Sequence, residues 1–262
     1  MRLLMIGDVV GRPGRRACRV EVEHLVRDHG VDLVIANGEN AAGGNGITRE
    51  IANELFSCGI DVLTMGNHVW DKKEILSFIE QEVRLLRPAN YPPGTPGVGY
   101  AFYRSRKDHL VAVINLSGRV YLANLECPFR TVNRLLDDIR KYTPVVLVDF
   151  HAEATSEKIA MGWYLDGKVS AVCGTHTHVQ TADERILPRG TAYISDVGMT
   201  GPRDSIIGVK VETVLEKFLT QMPKQFQVAS GPYQFNAVLV TVDPDSGKAL
   251  NISRIQGYEP PS

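Results

Sequence analysis

The chain has 262 residues, 44% hydrophobic and 23% charged, enough length and apolar content for a substantial globular core. A formal net charge of −1 gives no whole-chain attraction to nucleic acid or to a membrane surface, although a local basic patch stays open. The four cysteines (Cys18, Cys58, Cys127, Cys173) form no C-x-x-C pair, so a disulfide framework is not expected and a reducing, cytoplasmic setting is.

In chain order, Leu3–Ile6 reads as a buried strand, and it is too short for a signal-peptide core. No segment approaches the roughly 18 apolar residues of a membrane span. Pro13 opens a helix carrying Val20, Leu25 and Val26 that stops at Gly30. Leu33–Ala36 is a second strand, Ile51–Phe56 lies in a helix, Ile60–Met65 is a third strand, and a helix is expected over roughly 71–80. Strand–helix alternation of this kind argues an α/β arrangement.

The Pro- and Gly-rich stretch from Pro88 to Gly99 reads as loop. Val98–Tyr103, Leu110–Leu116 and Val120–Leu122 look like antiparallel strands of a different sheet. A helix over Thr131–Lys141 and a strand over Val145–Phe150 follow, then a helix over Ser156–Leu165 and a strand over Val169–Cys173. The last third holds Ala192–Ile194, a helix near 209–219 and a strand over Phe235–Val242. With no repeat or linker, the expectation is one domain over 1–262, a two-sheet sandwich core flanked by helices (α/β, or α+β by some schemes).

Polar residues recur just after strands: Gly7-Asp8, Asn37-Gly38-Glu39-Asn40, Gly66-Asn67-His68, His151, and Gly174-Thr175-His176-Thr177-His178. In α/β sheets, ligands bind outside the carboxyl ends of strands, so five such ends would converge on one site. Imidazoles mixed with carboxylates and amide oxygens suit Mn, Fe, Co, Ni or Zn. The candidates are too many for one four-coordinate ion, so two ions sharing a carboxylate is the economical solution. Asp8 and Glu39 contribute two negative charges, and two divalent ions leave a positive residue that suits a phosphate ester. Binuclear amidases would meet the same conditions.

The order of these five motifs resembles the calcineurin-like metallophosphoesterases, and within them the YmdB-like branch, from Gly7 to the Asp196–Gly208 stretch. The resemblance implies a four-layer metallophosphoesterase-like fold and hydrolysis of 2′,3′-cyclic nucleotides to 3′-nucleotides by a metal-bridged hydroxide. Two departures from the wider superfamily matter: Val10 stands where a histidine is usual, and Glu39 where an aspartate is usual. The closer branch implies that Asn40 takes the missing place. One ion would then lie on Asp8, Glu39, Asn40 and His178, the other on Glu39, Asn67, His151 and His176. His68 would be a non-ligand that protonates the leaving oxygen. Iron or manganese is expected first, and zinc fits the same ligands.

The expected partner is a small phosphodiester or nucleotide. Net charge does not point to RNA, nothing points to a membrane, and a homo-oligomer stays open. A monoesterase or nuclease on the same fold, or a non-catalytic metal-containing regulator, are the rival readings. Asp71 with Glu74 reads as a helix cap rather than as a partner of His68. Arg12, Arg15 and Arg16 read as a solvated surface with salt-bridge partners rather than as a phosphate contact, and Ser195–Pro202, of turn composition, stays open between a substrate-pocket lining, an oligomer interface and an ordinary connection. Tyr91, Tyr100 and Tyr103 read as packing residues.

Overall fold

Leu3 and Met5 face one way and Leu4 and Ile6 the other, and all four are fully buried. That double burial is why the strand is a continuous apolar run rather than an alternating one. In the computed structural model, which describes residues 1–259, the same logic orders the whole chain. The last three residues of the domain expected over 1–262 lie outside the described ones.

The elements run β1 (Arg2–Ile6), β2 (Asp8–Val9), α1 (Gly11–His29), β3 (Leu33–Asn37), α2 (Arg49–Ser57), β4 (Val62–Thr64), a 3₁₀ turn (Lys73–Ser77) and β5 (Leu85–Leu86). Then come β6 (Tyr100–Arg104), β7 (Leu110–Ser117), α3 (Pro128–Ile139), β8 (Val146–His151), α4 (Thr155–Leu165) and β9 (Ala171–Thr175). The chain closes with β10 (Arg185–Ile186), β11 (Ala192–Ile194), β12 (Met199–Pro202), α5 (Val211–Thr220), β13 (Tyr233–Val242) and β14 (Ala249–Tyr258).

One sheet has the order β2-β12-β13-β1-β3-β4-β5, with β14 added alongside β13, and the other has the order β10-β11-β9-β8-β7-β6. Leu3, Met5, Leu33 and Ile35 from the first sheet pack against Val111, Val113, Leu147 and Cys173 from the second. The outer face of the first sheet is covered by α1 and α2 through Ala17, Val22, Ala52 and Leu55. The outer face of the second is covered by α3 and α4 through Val132, Leu136, Met161 and Leu165. The result is four layers around a two-sheet core, as the resemblance implied.

Several local expectations change. The second sheet is mixed: β6 runs antiparallel to β7, but β7, β8, β9 and β11 are parallel. Val120–Leu122 is a turn, because the chain has already left β7 at Ser117 to cross over into α3. The helix expected over 71–80 shortens to the 3₁₀ segment Lys73–Ser77 with no side-chain cap. Ser195–Pro202 is a turn only at first, since Met199–Pro202 forms β12 beside β2 and β13. The helix expected near 209–219 runs Val211–Thr220. No helix among the described residues is long and apolar enough to cross a membrane.

Candidate metal centre

The carboxyl ends of β1, β3, β4, β8 and β9 lie side by side, so the residues that follow them meet. Asp8 and His151 are fully buried and Glu39 and Asn40 nearly so. Around the His151 Nε2 lie Glu39 Oε1 at 3.0 Å, Asn67 Oδ1 at 3.0 Å and His176 Nδ1 at 2.9 Å. A second group forms where His178 Nε2 lies 3.2 Å from Asn40 Nδ2 and 3.9 Å from Asp8 Oδ1. Glu39 belongs to both, since its Oε1 also accepts from Asn40 Nδ2 at 3.3 Å. His68 stands beside them: its backbone N–H donates to Glu39 Oε2 at 3.0 Å.

Close approach sets the glycine between β4 and Asn67. A Cβ on Gly66 would lie 2.2 Å from His151 Cδ2 and 2.4 Å from Glu39 Oε2. Only a residue without a side chain lets the β4 end pass this close to both groups. His176 and His178 take φ values of 103° and 66°, a conformation costly for residues with a Cβ. Three features offset that cost. Thr177 between them donates N–H and O–H to Asp196, which pairs with the buried Lys158 at 2.6 Å. The His176 N–H donates to Asp8 Oδ2 at 3.1 Å, and the Met199 N–H donates to the His178 carbonyl at 3.1 Å.

Tautomers follow from the outer partners. The His178 Nδ1 faces the Ile207 carbonyl at 2.8 Å, an acceptor only, so Nδ1 carries the proton and Nε2 points inward as a lone pair. The Thr175 hydroxyl donates to Asp149 at 2.7 Å, so it accepts from His151 Nδ1–H at 2.9 Å. Glu153 Oε2 lies 3.0 Å from His176 Nε2, which leaves Nδ1 facing the centre. Each ring is thus held through its outer nitrogen while its inner nitrogen faces the other ligand groups, the arrangement of metal-binding histidines.

Charge and burial fit the same use. Burial pushes the Asp8 carboxyl up to about 6, against the pull of His178 and His151. Burial also raises Glu39, but the charge and hydrogen bond of His151 outweigh it and hold that carboxyl near 2. Burial lowers His151, and the Glu39 and Asp8 carboxylates more than reverse this, raising it to about 9. His176 is driven down to about 3, by burial first and by the neighbouring His151 next. Asp8 Oδ1 is buried with no hydrogen-bond partner, and one His151 nitrogen faces three groups that a single N–H cannot serve. Glu39, His151 and His176 offer ligand atoms all within 4.8 Å of one another. The donor set fits a bound cation.

All eight residues singled out in the sequence come together, and Asp71 is corrected. Its carboxylate lies 2.8 Å from His68 Nδ1 and also accepts from Asn45, so it orients His68 rather than capping a helix. Glu74 is likewise drawn away, accepting the Arg49 N–H at the start of α2. Arg15 pairs with Glu54 and Arg16 with Glu259, as expected of a surface role. Glu153 and Asp149 escaped the sequence reading, and Asp196 entered it only as part of a stretch of turn composition. Asp149, a carboxylate inside the apolar run 145–150, was the one visible signal among them. A pocket of about 290 Å³ opens over Glu39, Asn40, His68, Glu153, His176 and His178. A larger groove of about 630 Å³, lined by Arg119, Arg130 and Tyr164, shares no residue with it.

Known proteins share this architecture. The chain is 52% identical to a 2′,3′-cyclic-nucleotide 2′-phosphodiesterase of Bacillus subtilis, over 97% of this chain and 96% of that one. A hypothetical protein from Thermus thermophilus superposes with a TM-score of 0.93 at 46% identity, covering 99% of this chain and 100% of the other. A structure described as a novel phosphatase, from Mycoplasma pneumoniae, gives 0.92 at 33% identity, covering 98% and 93%. The family model described as YmdB-like protein matches residues 4–255. The chain belongs to the YmdB-like family.

Proposed function

We propose that the protein is a binuclear metal-dependent phosphodiesterase that opens 2′,3′-cyclic nucleotides at the 2′ bond to leave 3′-nucleotides. The observation that carries this is the pair of ligand groups sharing Glu39, with three histidine rings each held through its outer nitrogen. Asp8, Glu39, Asn40 and His178 would hold one ion, and Glu39, Asn67, His151 and His176 the other. Iron or manganese suits this donor set, and zinc is compatible. Bound metal would polarise the phosphoryl oxygens and make a nucleophile available from water at neutral pH.

The protein's own groups do the rest. Asp71 accepts the His68 Nδ1–H at 2.8 Å, which aims Nε2 away from it as the atom that exchanges a proton with substrate. His68 is partly exposed at the pocket rim, within reach of a leaving oxygen without being tied to the ligand groups by its side chain. Glu153 holds the His176 ring and so the shape of the pocket wall.

The test is hydrolysis of 2′,3′-cAMP by protein reconstituted with Mn²⁺ or Fe²⁺, beside His68→Ala and Glu39→Ala. The expected product is 3′-AMP, lost with its metal in Glu39→Ala, and reduced about 10²–10⁴-fold with metal retained in His68→Ala. No turnover by the metal-loaded wild type would reject the substrate, and a fully active His68→Ala would reject that residue's role.

A further inference from the structure

A second pocket, also of about 290 Å³, adjoins the one over the ligand groups, and His178 and Ile207 line both. Its floor is one face of the β13–β14 ribbon. There Gln234 stands opposite Tyr258 and Asn236 opposite Gln256, two cross-strand pairs two residues apart and so on the same side. Arg203, just past β12, lays its guanidinium over the Tyr258 ring at 4.6 Å from the ring centre. Ile207 marks the join between the pockets. Its φ of 47° is unusual for a β-branched residue, and it turns the Ile207 carbonyl onto His178.

We infer that this second pocket, walled by Gln180, Gln234, Asn236, Gln256, Arg203 and Tyr258, receives the nucleobase of a substrate whose phosphate lies over the ligand groups. The inference deepens the phosphodiesterase reading and rests on it for the placement of the phosphate. Three observations point to a base. Gln180 Oε1 is buried and has no donor, although the same side chain's Nε2 donates to Val197 and Ala237 carbonyls at 3.2 and 3.1 Å. A base amino group or ring N–H supplies the missing donor. The side-chain amides of Gln234 and Gln256 make no hydrogen bond among the described residues, and an amide can present either its oxygen or its nitrogen to a base edge. Arg203 over Tyr258 places a guanidinium and an aromatic ring together at the pocket wall, the two kinds of group on which unpaired bases stack.

The volume suits one base and its ribose, at the small end of the roughly 300–1,000 Å³ of ligand pockets. Adaptable amides along the pocket wall predict that several bases are accepted, with those carrying an amino group preferred.

Calorimetry on Mn²⁺-loaded protein tests this by comparing adenosine 3′-phosphate with inorganic phosphate. The wild type should bind the nucleotide at least about tenfold more tightly, a gain that one stacked base readily supplies. Arg203→Ala with Tyr258→Ala should reduce that ratio to near one, while Tyr258→Phe keeps it. Phosphate affinity reports whether the ligand groups are intact. Tyr258→Ala alone, altering a half-exposed ring at the end of an edge strand, provides the same ratio should the double variant fold poorly. Equal affinities in the wild type, or an advantage that survives loss of both side chains, would overturn the assignment. Absence of 2′,3′-cAMP turnover would instead count against the activity, since the affinity ratio is measured without turnover.

Discussion

Lys158→Met would show how the two histidines after β9 are held. Lys158 and Asp196 are 2% and 1% exposed, with Nζ 2.6 Å from Oδ2. At that separation and an effective dielectric of about 20, their attraction is about 6 kcal/mol. Desolvation of the ammonium offsets much of this, and removing one partner of such a pair costs about 3–5 kcal/mol because the other charge stays buried. Asp196 would keep the Thr177 N–H and O–H and the Gly198 N–H, which places the loss near the lower end, about 3 kcal/mol. Methionine replaces most of the lysine stem, so the change reports charge more than packing. Urea unfolding at pH 7 should show the midpoint falling by about 1 M at a slope of about 3 kcal/mol/M. Metal affinity should fall about tenfold as well, the usual scale for groups that orient ligands. A loss below about 1 kcal/mol, typical of an exposed pair, with metal affinity unchanged would refute the argument.

Gly66→Ala should eject metal, because the new Cβ would overlap both His151 and Glu39, at a stability cost of about 1–3 kcal/mol. Metal content by mass spectrometry checks it, and full occupancy at an unchanged Tm would contradict it. Metal uptake should strengthen with pH. An ion on His151 Nε2 displaces a proton from a group raised to about 9, so affinity gains up to about tenfold per pH unit below that value and levels above it. Asp8, raised to about 6, steepens the dependence in acid. Titrations in two buffers of different ionisation enthalpy would count the released proton, and equal affinity at pH 7 and 8 would refute the proton competition.

The residues of the candidate centre were legible in the sequence because each follows an apolar run at the carboxyl end of a strand. Leu3–Ile6, Leu33–Ala36, Val145–Phe150 and Val169–Cys173 are buried on both faces, so their composition betrays them without any partner being known. β14 was not legible. Its sequence, ALNISRIQGY, buries few side chains and owes its strand conformation to pairing with β13 along its whole length. Val120–Leu122 failed for the opposite reason, since β-forming residues at a surface turn have no neighbouring strand to pair with.

Order along the chain and residue type therefore pointed to the groups that the fold brings together and to which layers would cover the sheets. Tertiary structure decided how those groups are held: His176 to Asp8 across 168 positions, His178 to the Ile207 carbonyl, His68 to Asp71 in place of a helix cap. It also set Glu153 against His176 and placed β13 and β14 beside His178. Burial is a property that a short run of residues can announce, because it depends on hydrophobicity alone. A hydrogen bond depends on where two distant backbones bring its donor and acceptor, and only the folded chain fixes that.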